Sequence, residues 1–238
     1  MDRSETFKVF CERVEAFLGK GVGIDLVLKC MLGLTRLRMV NASDEATKEV
    51  YAGFAMAVIN GRMLGNHFRY PSSFSLALRT FKAKEGPLFH WFLFGLSFLL
   101  RTFEQMTGDL NYYQMIIMRH WSRSRLSHTY WFFKSLSLTC LLLDEVLLLR
   151  LELRSPQWRE KTSEERSSFL RRKVISVMRC LLDMCMYYQW VPWYNPYKTL
   201  QYCCVTASGF LGVYSGWGDV CDSLAASKAR RVDSIKAD

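Results

Sequence analysis

The side chains best suited to chemistry in this chain are four histidines, eight cysteines and one adjacent acid pair, Asp144-Glu145. Metal ligation needs donors gathered at close spacing, but His67, His90, His120 and His128 are scattered. The cysteines offer no C-x-x-C: Cys203 and Cys204 are adjacent, Cys180 and Cys185 are five apart, and most lie in apolar stretches. There a thiol behaves as a small hydrophobe, and such usage fits a reducing compartment. An acid pair serves general acid–base work when both carboxyls face one substrate, yet neighbours on a helix point about 100° apart. His90 sits in an apolar run and reads as a core or interface histidine. No H-E-x-x-H, G-x-S-x-G, phosphate-binding loop or G-x-G-x-x-G occurs, and "GKGVG" (19–23) reads as a helix break. The expectation is a protein that is no enzyme and holds neither cofactor nor metal.

The charge balance points elsewhere. Lysine and arginine number 32 against 22 acids, a net charge of +10 over 238 residues. Such an excess calls for nucleic acid or anionic lipid. No zinc spacing, RNP-like strand or helix-turn-helix with a polar recognition face is present, so nucleic acid is not expected as a partner. Basic residues instead interleave with apolar ones, as in "MRHWSRSRLSH" (118–128), which suits a membrane surface. Half the residues are hydrophobic and 14% aromatic, which speaks for a folded chain. Pro71, Pro87, Pro156, Pro192 and Pro196 all fall at segment boundaries, a helical pattern. Residues 1–19 carry charges every few positions, unlike a signal peptide, and residues 236–238 are not S-K-L.

The elements follow from periodicity. Residues 2–18 form an amphipathic helix with Phe7, Phe10, Val14 and Phe17 on one face. A second helix covers 24–39, and 41–44 make a turn with a new N-cap at its end. A third runs to about residue 70, stopping before Pro71. On it Arg62 and Arg69 are seven apart and share roughly one face, with Phe68 and Leu64 as apolar neighbours, and Arg79 and Lys82 extend the basic character. That arrangement lies well in a head-group layer; a solvated face is the alternative. Residues 87–100 are apolar but short for a span. Residues 130–154 are longer but interrupted by Lys134, Asp144 and Glu145, a polar seam. A charge at mid-bilayer costs about 2.5–3.5 kcal/mol, which argues against a simple crossing there.

Residues 151–173 read as a charged loop or linker, 174–190 as a helix, and "WVPWYNPY" (190–197) as an interfacial aromatic bend. Residues 199–218 carry no charge, and a helix of that length is about 30 Å long, the thickness of a bilayer core. Cys204, Ser208, Gly212 and Gly216 recur every four residues, a ridge of small side chains of the kind that joins membrane helices. A transmembrane helix is expected here, with a buried soluble helix as the competing reading.

The order of these segments resembles the peroxin eleven family of peroxisomal membrane proteins, most closely its kinetoplastid members in glycosomes. "FKVFCERVEAFLGKGVGIDLVLKCMLGL" matches the opening helices of that family, and "GRMLGNHFRY" stands at its basic membrane-inserting helix. "LLLDEVLLLRL" is similar to its apolar motif with an acid four residues before a bulky one, here Asp144 and Leu148. "NPYKTLQYCCVTASGFLGVYSGW" looks like its C-terminal span. The resemblance departs at "GKGVGID", which lacks a more polar turn, and at Leu148, where an aromatic is expected.

The resemblance implies a remodeller of peroxisomal or glycosomal membranes that promotes organelle elongation, division and proliferation. Arg62, Phe68, Arg69, Arg79 and Lys82 would bind anionic phospholipid. The ridge Cys204, Ser208, Gly212 and Gly216 would join copies into a homo-oligomer, and organelle fission machinery would be a partner. The expected fold is all-α: amphipathic surface helices over 1–85, an apolar helical region over 86–150, the linker 151–173, C-terminal helices over 174–218 with the span 199–218, and a polar tail over 219–238. Two readings compete, a pore or metabolite channel lined by Lys134, Asp144 and Glu145, and a soluble basic interaction protein.

Overall fold

A computed structural model describes residues 3–19, 22–116, 123–187 and 197–237, and the described chain is all-α, without a strand. Its helices are α1 (Arg3–Gly19), α2 (Val22–Asn41), α3 (Glu45–Asn66), α4 (Tyr70–Ala83), α5 (Leu88–Ile116), α6 (Arg123–Arg154), α7 (Pro156–Glu160), α8 (Ser163–Tyr187) and α9 (Lys198–Ala237).

Local signals set several ends. Asp44 caps α3, its carboxylate accepting from the Thr47 N–H at 2.7 Å. That helix stops at Asn66 rather than near residue 70, because the chain turns through Phe68 at a left-handed φ of 54° and Pro71 opens a new helix in the first turn of α4. The apolar run 87–100 is the first half of α5, a helix of 29 residues. The expected linker 151–173 is mostly helical. Ser155 caps α7 by accepting from the Trp158 N–H at 3.2 Å. Thr162 and Glu165 then form a reciprocal capping box at the start of α8, with bonds of 2.8 and 3.3 Å. High charge density there reflects two helix ends meeting. The aromatic bend 190–196, the stretch 117–122 with His120, and Lys20-Gly21 lie outside the described residues.

Six long helices close a ring in the order α2, α3, α5, α6, α8, α9 and back to α2. Paired residues fix the directions. Leu26, Cys30 and Gly33 of α2 meet Gly212, Gly209 and Thr206 of α9, so these two run antiparallel. His90, Ser97 and Glu104 of α5 meet Asp144, Ser137 and Lys134 of α6 in the same descending register. Asp183 and Arg171 of α8 lie near Ser208 and Tyr214 of α9. The α5–α6 hairpin is the most extensive pairing, and the α3–α5 contact that closes the ring is short. Outside the ring, α4 packs on α5, and α1 on α2 and α9.

Much of what the fold buries is polar, while many large apolar side chains stay exposed. Its buried set includes Ser97, Thr102, Glu104, Ser135, Ser137 and Asp144, whereas Phe54, Leu64, Phe92, Leu143, Val174 and Phe210 are exposed. The expected transmembrane helix at 199–218 needs correction. Among the described residues no helix is long and apolar enough to cross a membrane. The stretch is uncharged, but Gln201, Thr206, Ser208, Ser215 and its glycines dilute its hydrophobicity, and it forms only the first half of the 40-residue α9.

Candidate functional site

Charged residues on α2, α3, α5, α6 and α8 turn inward and meet. Arg62 grips Asp25 with two bonds, Nε to Oδ1 at 2.9 Å and Nη2 to Oδ2 at 3.2 Å, and Asn66 Nδ2 donates to the same carboxylate at 3.1 Å. Burial opposes both charges, yet the Arg62 bond and charge carry the Asp25 carboxyl below its ordinary value, and Asp25 carries the guanidinium above its own. Lys29 is paired with Asp183 across the ring and donates to Ser208 Oγ at 2.8 Å. Burial pushes the Asp183 carboxyl up, and the Lys29 ammonium more than reverses it. Lys134 Nζ reaches Glu104 Oε1 at 2.8 Å and lies 5.6 Å from the Tyr187 ring centre. Burial favours neutral Lys134, but the Glu104 charge outweighs it and raises the lysine.

The Asp25–Arg62 and Glu104–Lys134 pairs line a cavity of about 410 Å³ walled by five of the ring helices. Four cations face it, Arg36, Arg62, Arg101 and Lys134, against three acids, Asp25, Glu104 and Asp109. Neither motif nor periodicity singles out Asp25, Lys29, Glu104 and Asp183. The available signal was a lone charge, or two charges four apart as in Asp25 and Lys29, inside an otherwise apolar helical face.

The expected membrane-binding residues divide. Arg62 does not face lipid: its charge is spent on Asp25 inside the bundle. Arg79 and Lys82 are exposed on α4, about 60° apart around the helix, with Phe74 and Leu78 exposed beside Lys82. Arg69 is half-buried at the N-terminus of α4. Phe68 is 62% exposed in the α3–α4 turn. A bulky residue at φ 54° is strained, and something must hold it. Asp109 does so, accepting from the Phe68 N–H at 3.2 Å, while its other oxygen lies 2.9 Å from His67 Nδ1 at an angle too poor for a hydrogen bond.

Two further expectations need correction. The ridge Cys204, Ser208, Gly212 and Gly216 is consumed within the chain. Ser208 is fully buried on Lys29, and a Cβ at Gly212 would strike Leu26. One at Gly216 would come 3.0 Å from the Phe17 ring. Small residues here allow α9 to approach α2 and α1, and leave no ridge for a second copy. Lys134, Asp144 and Glu145 form no continuous seam either. Lys134 pairs with Glu104 of α5, Asp144 lies 2.9 Å from His90 of α5, and Glu145 binds Lys173 of α8 at 2.6 Å. Adjacent positions point apart, so Asp144 and Glu145 serve different neighbours.

Comparison with known proteins supplies no family: no family model, curated protein or solved structure matches the chain.

Proposed function

We propose that this chain works on the cytosolic face of a peroxisomal or glycosomal membrane, where it promotes elongation, division and proliferation of the organelle. In this reading the α3–α4 flank inserts among anionic head groups and wedges them apart, which favours curvature. The observation that carries it is the surface of α4 and the turn before it: exposed Phe68, Phe74 and Leu78 beside exposed Arg79 and Lys82. Apolar side chains at that depth gain burial while the two cations reach anionic phosphate, each contributing about 1 kcal/mol near such a surface. Strained backbone at Phe68 supports the same reading, since it holds an aromatic ring outward at a cost to the fold. The choice of organelle rests on the segment order set out above. Copies gathered on one membrane multiply the wedge, through faces other than the buried α9 ridge, and fission machinery acts on the elongated organelle.

Purified full-length protein mixed with phosphatidylserine-containing vesicles tests this by flotation and electron microscopy. Expected are co-flotation, tubules, and loss of both in Phe74→Ser/Leu78→Ser at unchanged helical content. Arg79→Gln/Lys82→Gln should weaken flotation most at low salt. A wild-type protein that neither floats nor deforms these vesicles would overturn the reading.

A further inference from the structure

We propose that the cavity inside the helix ring is a binding site for a small hydroxylated organic anion, one with a carboxylate or phosphate group. The internal pairs leave two cations and two acceptors of the cavity wall unmatched. Asp25 is satisfied by Arg62, and Glu104 Oε1 by Lys134. Arg36 and Arg101 also line the cavity and have no carboxylate partner among the described residues. Among the described residues each has a ring contact, Arg36 at 5.3 Å from the Tyr202 centroid and Arg101 at 5.9 Å from that of Phe98. Their planar forks are the geometry that takes a carboxylate or phosphate by paired hydrogen bonds. Asp109 is the remaining acid, and it is engaged by the Phe68 N–H.

The hydroxyl half of the ligand comes from two acceptors. Glu104 is 5% exposed, and its Oε2 has no hydrogen-bond donor. Asn111 Oδ1, on the same helix and the same cavity wall, is also buried without a donor. Buried acceptors left without donors are costly, and a ligand hydroxyl supplies what they lack. Two unpaired guanidiniums set the sign of the cavity, and two unpaired acceptors ask for O–H groups. The volume falls in the range usual for small-molecule sites. Neither Phe68 nor any residue of α4 lines the cavity, so the site is independent of how that surface meets a membrane.

Full-length protein in mild detergent, titrated with tartrate, succinate, erythritol and inorganic phosphate by calorimetry and thermal unfolding, tests the proposal. Tartrate carries both features, succinate lacks hydroxyls, and erythritol lacks charge. The expected order is tartrate first, succinate and phosphate weaker, erythritol silent. Arg101→Gln and Arg36→Gln should each weaken tartrate about tenfold, the loss of one charge-assisted contact. Asn111→Ala should weaken tartrate and leave succinate unchanged. Should an arginine variant fail to fold, the tartrate–erythritol contrast in the wild type decides alone. No saturable response to tartrate, or an equal one in the Arg36→Gln/Arg101→Gln protein, overturns the proposal.

Discussion

Gly33 of α2 and Thr206 of α9 meet so closely that a Cβ on the glycine would overlap the threonine Oγ1 and come 2.9 Å from its backbone nitrogen. A backbone atom cannot swing aside, so Gly33→Ala must push the two helices apart. The expected loss is about 1–3 kcal/mol, the usual cost of overpacking. Gly209→Ala should behave alike, its Cβ falling 3.0 Å from the Cys30 backbone nitrogen. Gly53→Ala on α3 meets open space and should instead stabilise by about 0.5–1 kcal/mol through helix propensity. Denaturant unfolding of the three variants distinguishes close approach from a general intolerance of side chains.

Breaking the Asp25–Arg62 pair from one side leaves a half-buried carboxylate with only Asn66 as partner. Arg62→Met is expected to cost about 1–3 kcal/mol, and the double variant Asp25→Leu/Arg62→Met to recover part of that. Thermal unfolding of the single and double variants checks it. A single variant as stable as the wild type would show that the Asp25 carboxylate left behind finds solvent or Asn66 instead.

Phe68→Gly separates fold from function. Glycine adopts φ 54° freely, so the strain disappears, and the variant should unfold at the same or a higher temperature. Vesicle flotation should fall at the same time, because the exposed ring is gone. A variant that floats like the wild type would leave the strained turn without a membrane role.

Stability in acid should follow Asp25 and Asp183. Both carboxyls sit below their ordinary value of 3.8 in the folded protein, so the unfolded chain binds protons more tightly. Their contribution is complete above that value and is lost as pH falls through the lower folded values. Denaturant midpoints measured from about pH 5 to about pH 2 should decline, and the decline should be shallower in Asp183→Asn.

What the sequence made legible was local. Asp44 could be recognised as a cap because its bond to the Thr47 N–H spans three positions. Ser155-Pro156 and Thr162 with Glu165 were equally local, but the dense charge around them resembled a loop. The interior pairs join residues 37, 154 and 30 positions apart, and no periodicity announces such partners. Arg62 shows the limit well: its spacing from Arg69 placed it on a basic face, while Asp25 took it inside. The small-residue ridge on α9 was visible as a surface built for close approach, but a ridge does not name what approaches it.

The pairing of α2 with α9 also sets an order of events. Lys29 and Ser208 are 179 positions apart, so the α2 groove waits unfilled until α9 has been synthesised. The hairpin of α5 and α6 can assemble early from neighbours in sequence, whereas ring closure carries the entropy of a very long loop. Until α9 arrives, Gly33 and Cys30 present an uncovered helix face and Lys29 an unpaired charge. That interval is where a nascent chain is most exposed to wrong partners, and where a chaperone would have something to hold.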